Sequence, residues 1–121
     1  MSAIAWLAVA GLGGIGALSR FFVDGVIATR VSGDFPLGTF IVNASGALTL
    51  GLLVGLAFSG TRFVLAGTAL LGSYTTFSTW MLETHRLVED GEFVTAAANV
   101  AVSLAVGVAA AALGRLIGSH V

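Results

Sequence analysis

The sequence predicts an all-α membrane protein of four transmembrane helices, the third of them broken at mid-membrane. Three observations carry that reading. Only 9% of the 121 residues are charged, whereas a soluble domain carries about 25%, and mean hydropathy is +1.04. The charges divide the chain into four charge-free runs, Met1–Ser19, Phe35–Thr61, Phe63–Leu82 and Phe93–Gly114. Each is close to or above the roughly 20 residues that carry a helix across a 30 Å hydrocarbon core. Within the third run, Leu71-Gly72-Ser73-Tyr74-Thr75-Thr76-Phe77-Ser78-Thr79-Trp80 is written like a loop and a helix start. Residues 1–121 therefore read as one four-helix transmembrane domain.

The break is the first candidate for a working site. Gly72-Ser73 is a poor helix interior, and hydroxylic residues crowd the positions after it. An unpaired backbone group facing lipid costs several kcal/mol, so irregular backbone at that depth must face protein, a polar cavity or an ion.

The first run has no basic segment before it, so it reads as a retained helix rather than a cleaved signal. Its Gly11-Leu12-Gly13-Gly14-Ile15-Gly16 fits G-x-G-x-x-G, yet no strand precedes it and no βαβ unit surrounds it. Glycines in such a helix let neighbouring backbones approach. Arg20 then has two readings: it snorkels to the headgroups, or it points inward and draws anions to a vestibule. The helix is expected to continue past it through Asp24 toward Arg30.

Ser32-Gly33-Asp34-Phe35-Pro36 marks a boundary, with the only proline just inside the second helix. Thr39 and Asn43 lie four apart on one face of that helix, and Gly51 and Gly55 form a G-x-x-x-G packing pair. Asn43 is either an interhelical hydrogen bond or an amide donor offered to an anion. Ser59-Gly60-Thr61-Arg62 reads as a short turn. Beyond the break, Phe77 and Trp80 share a helix face, with Ser78 and Thr79 between them. Glu83 to Arg86 and Glu89 to Glu92 hold four of the six acids and read as a solvated helix end and turn. In the last run Thr95, Asn99, Ser103 and Gly107 recur every four residues. That stripe is either an ion track or a set of interhelical hydrogen bonds.

Several classes are excluded. There is no cysteine, hence no disulfide or thiolate site, and no basic run of the kind that binds nucleic acid. No nucleophile–base pair or paired intramembrane carboxylates suggest an enzyme. All five basic side chains are arginine. With four spans, Arg62 and Arg115 fall on one side and Arg20, Arg30 and Arg86 on the other. Orientation normally follows a Lys/Arg excess. A balance this close fits either a protein oriented by other means or dual topology with an antiparallel partner.

Together, Gly13–Arg20 with its terminal arginine, Gly38-Thr39-Phe40-Ile41-Val42-Asn43 and Gly72-Ser73-Tyr74-Thr75-Thr76-Phe77-Ser78-Thr79-Trp80 resemble the Fluc (CrcB) family of fluoride channels over nearly the whole chain. The resemblance implies passive fluoride export that relieves fluoride toxicity, by a multi-pass protein of the cell (inner) membrane. It implies an antiparallel dual-topology homodimer with two pores, and a structural sodium ion on the two-fold axis held by backbone carbonyls of Gly72 and Thr75. Carried over, the pore residues are Asn43, Phe77, Trp80, Ser78, Thr79 and Ser103, with Thr39 alongside and Arg20 at the vestibule. This chain departs from the pattern at Trp80, where many members have phenylalanine, and at Asn99 and Gly107, where relatives carry Tyr and Ser.

The chemistry fits. A bare fluoride in a low-dielectric medium costs tens of kcal/mol, so a pore must replace its water with short donors: amide N–H, hydroxyl O–H and aromatic edges. The rival, a small multidrug-type four-helix exporter, needs an ionisable side chain within the membrane, and the four runs contain no Asp, Glu, Lys or His.

Overall fold

The computed structural model of the chain describes residues 1–121, and all its regular structure is helical. Helix α1 spans Ala3–Arg30 and begins under a Ser2 cap, whose Oγ accepts the Ala5 N–H at 3.1 Å. It does run on through Arg20 and Asp24. Helix α2 spans Leu37–Gly55. Pro36 takes its N-cap position rather than the first turn, and its carbonyl accepts the Phe40 N–H at 3.1 Å.

The reversal after α2 lies at Leu56 to Ser59, earlier than the Ser59 to Arg62 turn expected. Ala57 adopts φ 60°, and the Ala57 and Phe58 N–H groups donate to the Val54 and Leu53 carbonyls. This paired closure satisfies the last carbonyls of α2, and Gly60, at φ 58°, opens the next helix.

The third segment is built in pieces: α3 over Gly60–Phe63, a π-helix over Val64–Leu71 and α4 over Gly72–Tyr74. Chain direction then breaks at Thr75, which is extended (φ −80°, ψ 161°), before α5 resumes over Ser78–Glu89. The break is therefore Thr75 to Phe77, a few residues later than Gly72-Ser73 suggested. Hydroxyls explain the delay: Ser73 Oγ donates to the Ala69 carbonyl at 2.7 Å and Thr75 Oγ1 to the Leu71 carbonyl at 3.0 Å. These bonds to residue i−4 hold the turn together where propensity is poor. Gly91, at φ 77°, turns the chain into α6, Phe93–Ser119.

Helices α1, α2 and α6 are each long and apolar enough to cross a membrane. The interrupted third segment supplies no single helix of that length. Ile4, Leu7, Phe21, Phe22 and Val94 stand largely exposed, which suits a lipid surround and would be costly in water.

The principal seam joins α2 to α6. A Cβ on Gly51 or Gly55 would strike the backbone of Ala111 or Arg115, and one on Gly114 or Gly118 would strike Leu48 or Leu52. The expected Gly51/Gly55 pair thus meets a second G-x-x-x-G pair on α6, and the absence of all four side chains lets the helices touch at backbone distance. Helix α1 packs on the π-helix and α4, and α5 packs on α6. Of the glycines in the first run, Gly16 presses against Leu70, while Gly11 and Gly14 have no neighbour in the chain.

Candidate functional site

The site is built around the break. Gly46 of α2 leaves room for the Thr75 side chain, which a Cβ there would displace. One turn earlier, Asn43 pairs with the interrupted backbone: its Nδ2 donates to the Thr76 carbonyl and its Oδ1 accepts the Thr76 N–H, both at 2.8 Å. The amide thus replaces two helical hydrogen bonds lost at the break. A primary amide has two N–H donors, so one remains for another partner. Thr76 Oγ1 accepts the Thr79 N–H at 3.1 Å and caps the start of α5. Below, Tyr74 Oη and Ser45 Oγ are hydrogen-bonded at 2.9 Å, tying α4 to α2.

Neither the Gly72 nor the Thr75 carbonyl accepts a hydrogen bond within the chain. Gly72 is exposed. Two orphan carbonyls at this depth need a partner, and hard carbonyl oxygens suit a hard cation rather than a soft metal. The donor set fits sodium, and no group of His, Cys, Asp or Glu offers a competing metal site.

The residues predicted for the pore fall on two sides of the Asn43–Thr76 pairing. On one side is an open groove of about 410 Å³ whose lining includes Asn43, Thr75, Thr76, Phe77, Trp80 and Ser103, with Gly107 beyond. The Phe77 and Trp80 rings meet edge to face, centroids 5.7 Å apart and planes at 89°. Phe77 is 70% exposed within the single chain, which is a large apolar ring left uncovered at the break. On the other side is a recess of about 300 Å³ lined by Arg20, Asp24, Thr39, Thr76 and Thr79. Arg20 therefore borders a polar recess beside the break, which it shares with Asp24. Ser78 lines neither space and is exposed on the first turn of α5.

A third recess, of about 450 Å³, opens where the α1–α2 loop faces α5 and includes Asp24, Glu83 and Arg86. Asp24 borders both this recess and the Arg20 recess, while Thr76 borders both the Arg20 recess and the groove. The three spaces are strung along one line of shared residues. Thr39, only 3% exposed, sits beside the Glu83 carboxyl, whose Oε1 is buried without a hydrogen-bond partner.

Sequence patterns alone did not single out Thr76, Asp24 or Glu83. Thr76 could have been found from its place three residues before Thr79, a helix-capping spacing. The polar stripe on α6 divides: Ser103 and Gly107 line the groove, while Asn99 is 1% exposed and bonded to α5. His85 is surface-exposed and pairs with Glu89 at 3.2 Å, four residues on.

A helical chain with three long apolar helices and a gap in a fourth, interrupted segment defines an all-α membrane protein. Residues 7–115 match the family described as "CrcB-like protein, Camphor Resistance (CrcB)", and the chain belongs to that family. It is 56% identical over 110 residues to a Mycolicibacterium paratuberculosis protein named fluoride-specific ion channel FluC 2, covering 91% of this chain and 90% of the relative. A Mycobacterium tuberculosis protein of the same name is 53% identical, over 93% of this chain and 89% of the relative. Symbiobacterium thermophilum contributes a fluoride-specific ion channel FluC 1 that is 39% identical, over 95% and 98%.

Proposed function

We propose that the protein is a fluoride-selective channel that lets the ion leave the cell passively through the inner membrane. The observation that carries this reading is the groove in which Asn43, Phe77, Trp80 and Ser103 converge on the helix break. Its side chains are neutral, so they favour an anion through N–H, O–H and ring-edge dipoles rather than fixed charge. Short dipoles help a small anion more than a large one, because the interaction grows as separation shrinks. Chloride, larger and more weakly hydrated, gains less from them. The named relatives, more than half identical over most of the chain, support the same ion.

Arg20 borders the neighbouring recess together with Asp24, Thr39 and Thr79, and its guanidinium is the group there that attracts an anion. An ion passing from that recess to the groove goes by Thr76 and the free amide N–H of Asn43. Reactions on bound substrates have no part here: the protein is a channel, not an enzyme. Glu83 borders the recess at the α1–α2 loop, and Asp24 borders both that recess and the Arg20 recess, but neither carboxylate lines the groove at the break, where the exporter alternative would need one.

The working unit in this reading is an antiparallel homodimer. The groove is open along one side and Phe77 is uncovered in the single chain; a second copy would close the one and cover the other. A sodium ion on the two-fold axis would take the Gly72 and Thr75 carbonyls of both chains, giving it four oxygens and giving the orphan carbonyls a partner. Its contribution would be structural, giving the carbonyl dipoles at the break a partner.

The test is flux. Purified protein in liposomes loaded with fluoride, read by a fluoride electrode, should discharge them far faster than empty liposomes, and chloride loading should give little efflux. Equal rates for the two halides, or no efflux above empty liposomes, would remove the reading.

A further inference from the structure

The indole of Trp80 carries a polar N–H that needs an acceptor when it is packed away from water. It donates to the backbone carbonyl of Asn99 at 2.9 Å. The return bond runs the other way: Asn99 Nδ2 donates to the Trp80 carbonyl at 3.4 Å and to Thr84 Oγ1 at 2.8 Å. Thr84 Oγ1 in turn donates to the Trp80 carbonyl at 2.9 Å. Each residue thus holds the other's backbone with its side chain, across the contact between α5 and α6. On the far side of the same amide, Ser103 Oγ donates to Asn99 Oδ1 at 3.4 Å.

Every polar atom of the Asn99 amide is therefore engaged, and the residue is 1% exposed. Trp80 and Ser103 border the groove, and Asn99 does not. Resting on the channel reading above, we propose that Asn99 is a positioning residue: it does not touch the ion, and it sets the Trp80 ring and the Ser103 hydroxyl that do. The Ser103 bond is long and weak by hydrogen-bond standards. An anion arriving in the groove offers the hydroxyl a stronger, charge-assisted acceptor, so the hydrogen turns from Asn99 Oδ1 to the ion and returns when the ion leaves. Asn99 thus keeps the hydroxyl oriented between ions, and the two-way clasp fixes the ring edge at the height of Phe77, its T-shaped neighbour. Ordering supporting groups in advance is what gives a site its geometric precision.

The experiment measures the ratio of fluoride to chloride efflux from the same preparation of liposomes. A role limited to holding helices together changes how many dimers are active, which scales both fluxes and leaves their ratio fixed. A positioning role changes the ratio. Asn99→Leu, which keeps the bulk and removes the amide, should lower the ratio at least tenfold; Thr84→Val, isosteric and missing only the hydroxyl that anchors Nδ2, should lower it about threefold. In the Ser103→Ala background, Asn99→Leu should lower the ratio less than it does alone, because one of the groups it positions is gone. A parent-like ratio in Asn99→Leu would overturn the inference. Should Asn99→Leu not assemble, a parent-like ratio in Thr84→Val would overturn it by itself. The unaltered protein separates the two claims: if it fails to pass fluoride, the channel reading falls; if it passes fluoride selectively while both variants match it, only the role of Asn99 falls.

Discussion

Asn43 holds the peptide of Thr76 from both sides, donating to its carbonyl and accepting from its N–H, each at 2.8 Å. The side chain of one helix thereby completes the backbone of another where helical bonding stops. Asn43→Ala would leave both backbone groups unpaired, at about 1–3 kcal/mol for each. It should lower the thermal midpoint of the purified protein clearly, as read by loss of the size-exclusion peak after heating. Asn43→Asp should be no better, because it keeps an acceptor for the N–H but sets a carboxylate against the Thr76 carbonyl. A midpoint equal to the parent's in both variants would show that the pairing contributes nothing.

The same pairing makes Asn43 a poor probe of conduction alone, since its loss disturbs the break as well as a donor. Phe77 is the cleaner probe. It is 70% exposed within the chain, and Phe77→Ile keeps most of the bulk while removing the positive ring edge. Fluoride efflux from liposomes should fall at least tenfold, or about 1.4 kcal/mol on the barrier, with the protein still eluting at the parent's position in size exclusion. Unchanged efflux would make Phe77 a packing residue.

How far the sequence revealed this arrangement depends on the range of each interaction. Charge-free runs and their boundaries depend on local composition, so α1, α2 and α6 were legible, and so was the presence of a break. Its position was not: Gly72 and Ser73 look like breakers, and only the bonds from Ser73 and Thr75 to carbonyls one turn back carry the helix to Tyr74. The π-helix at Val64–Leu71 has no signal in eight apolar or small residues. Asn99 looked like its stripe-mates Ser103 and Gly107. What separates them is a partner on α5, nineteen residues away toward Trp80, and no local pattern encodes that.

The α2–α6 seam predicts a sharp contrast among glycines. A Cβ at Gly114 would collide with the Leu48 backbone, whereas one at Gly25 meets nothing within 4 Å. Overpacking costs typically about 1–3 kcal/mol, and here backbone rather than a flexible side chain would have to move. Gly114→Ala should lower the thermal midpoint, while Gly25→Ala should hold or raise it, alanine being the better helix former by about 0.8–1.0 kcal/mol. Equal midpoints would show that the helices are not in backbone contact.

The orphan carbonyls of Gly72 and Thr75 predict a cation dependence. A ligand that binds only the folded protein stabilises it by RT ln(1 + [L]/Kd). The thermal midpoint in sodium-free buffer should therefore rise with added sodium, and rise less with potassium, whose larger radius suits a four-oxygen site poorly. Matched midpoints across sodium, potassium and an organic cation at equal ionic strength would argue that these carbonyls face no ion.

The last prediction concerns orientation. Arg20 lies within α1 and borders a recess beside the break, so it drops out of the loop count. That leaves Arg30 and Arg86 on one side against Arg62 and Arg115 on the other. With no Lys/Arg excess, the usual determinant of topology gives no preference, and chains should insert both ways. The chain contains no cysteine, so a single one can report sidedness without background. Ser32 is exposed in the loop between α1 and α2, away from the break. In Ser32→Cys spheroplasts, a membrane-impermeant maleimide should label a substantial fraction of the protein and leave a comparable fraction for labelling only after permeabilisation. Complete labelling from outside, or none, would mean one orientation and would exclude the antiparallel dimer. Adding two lysines to that same loop should then bias the population toward one orientation and lower fluoride efflux, because under the antiparallel proposal chains inserted the same way would have no partner to close the groove.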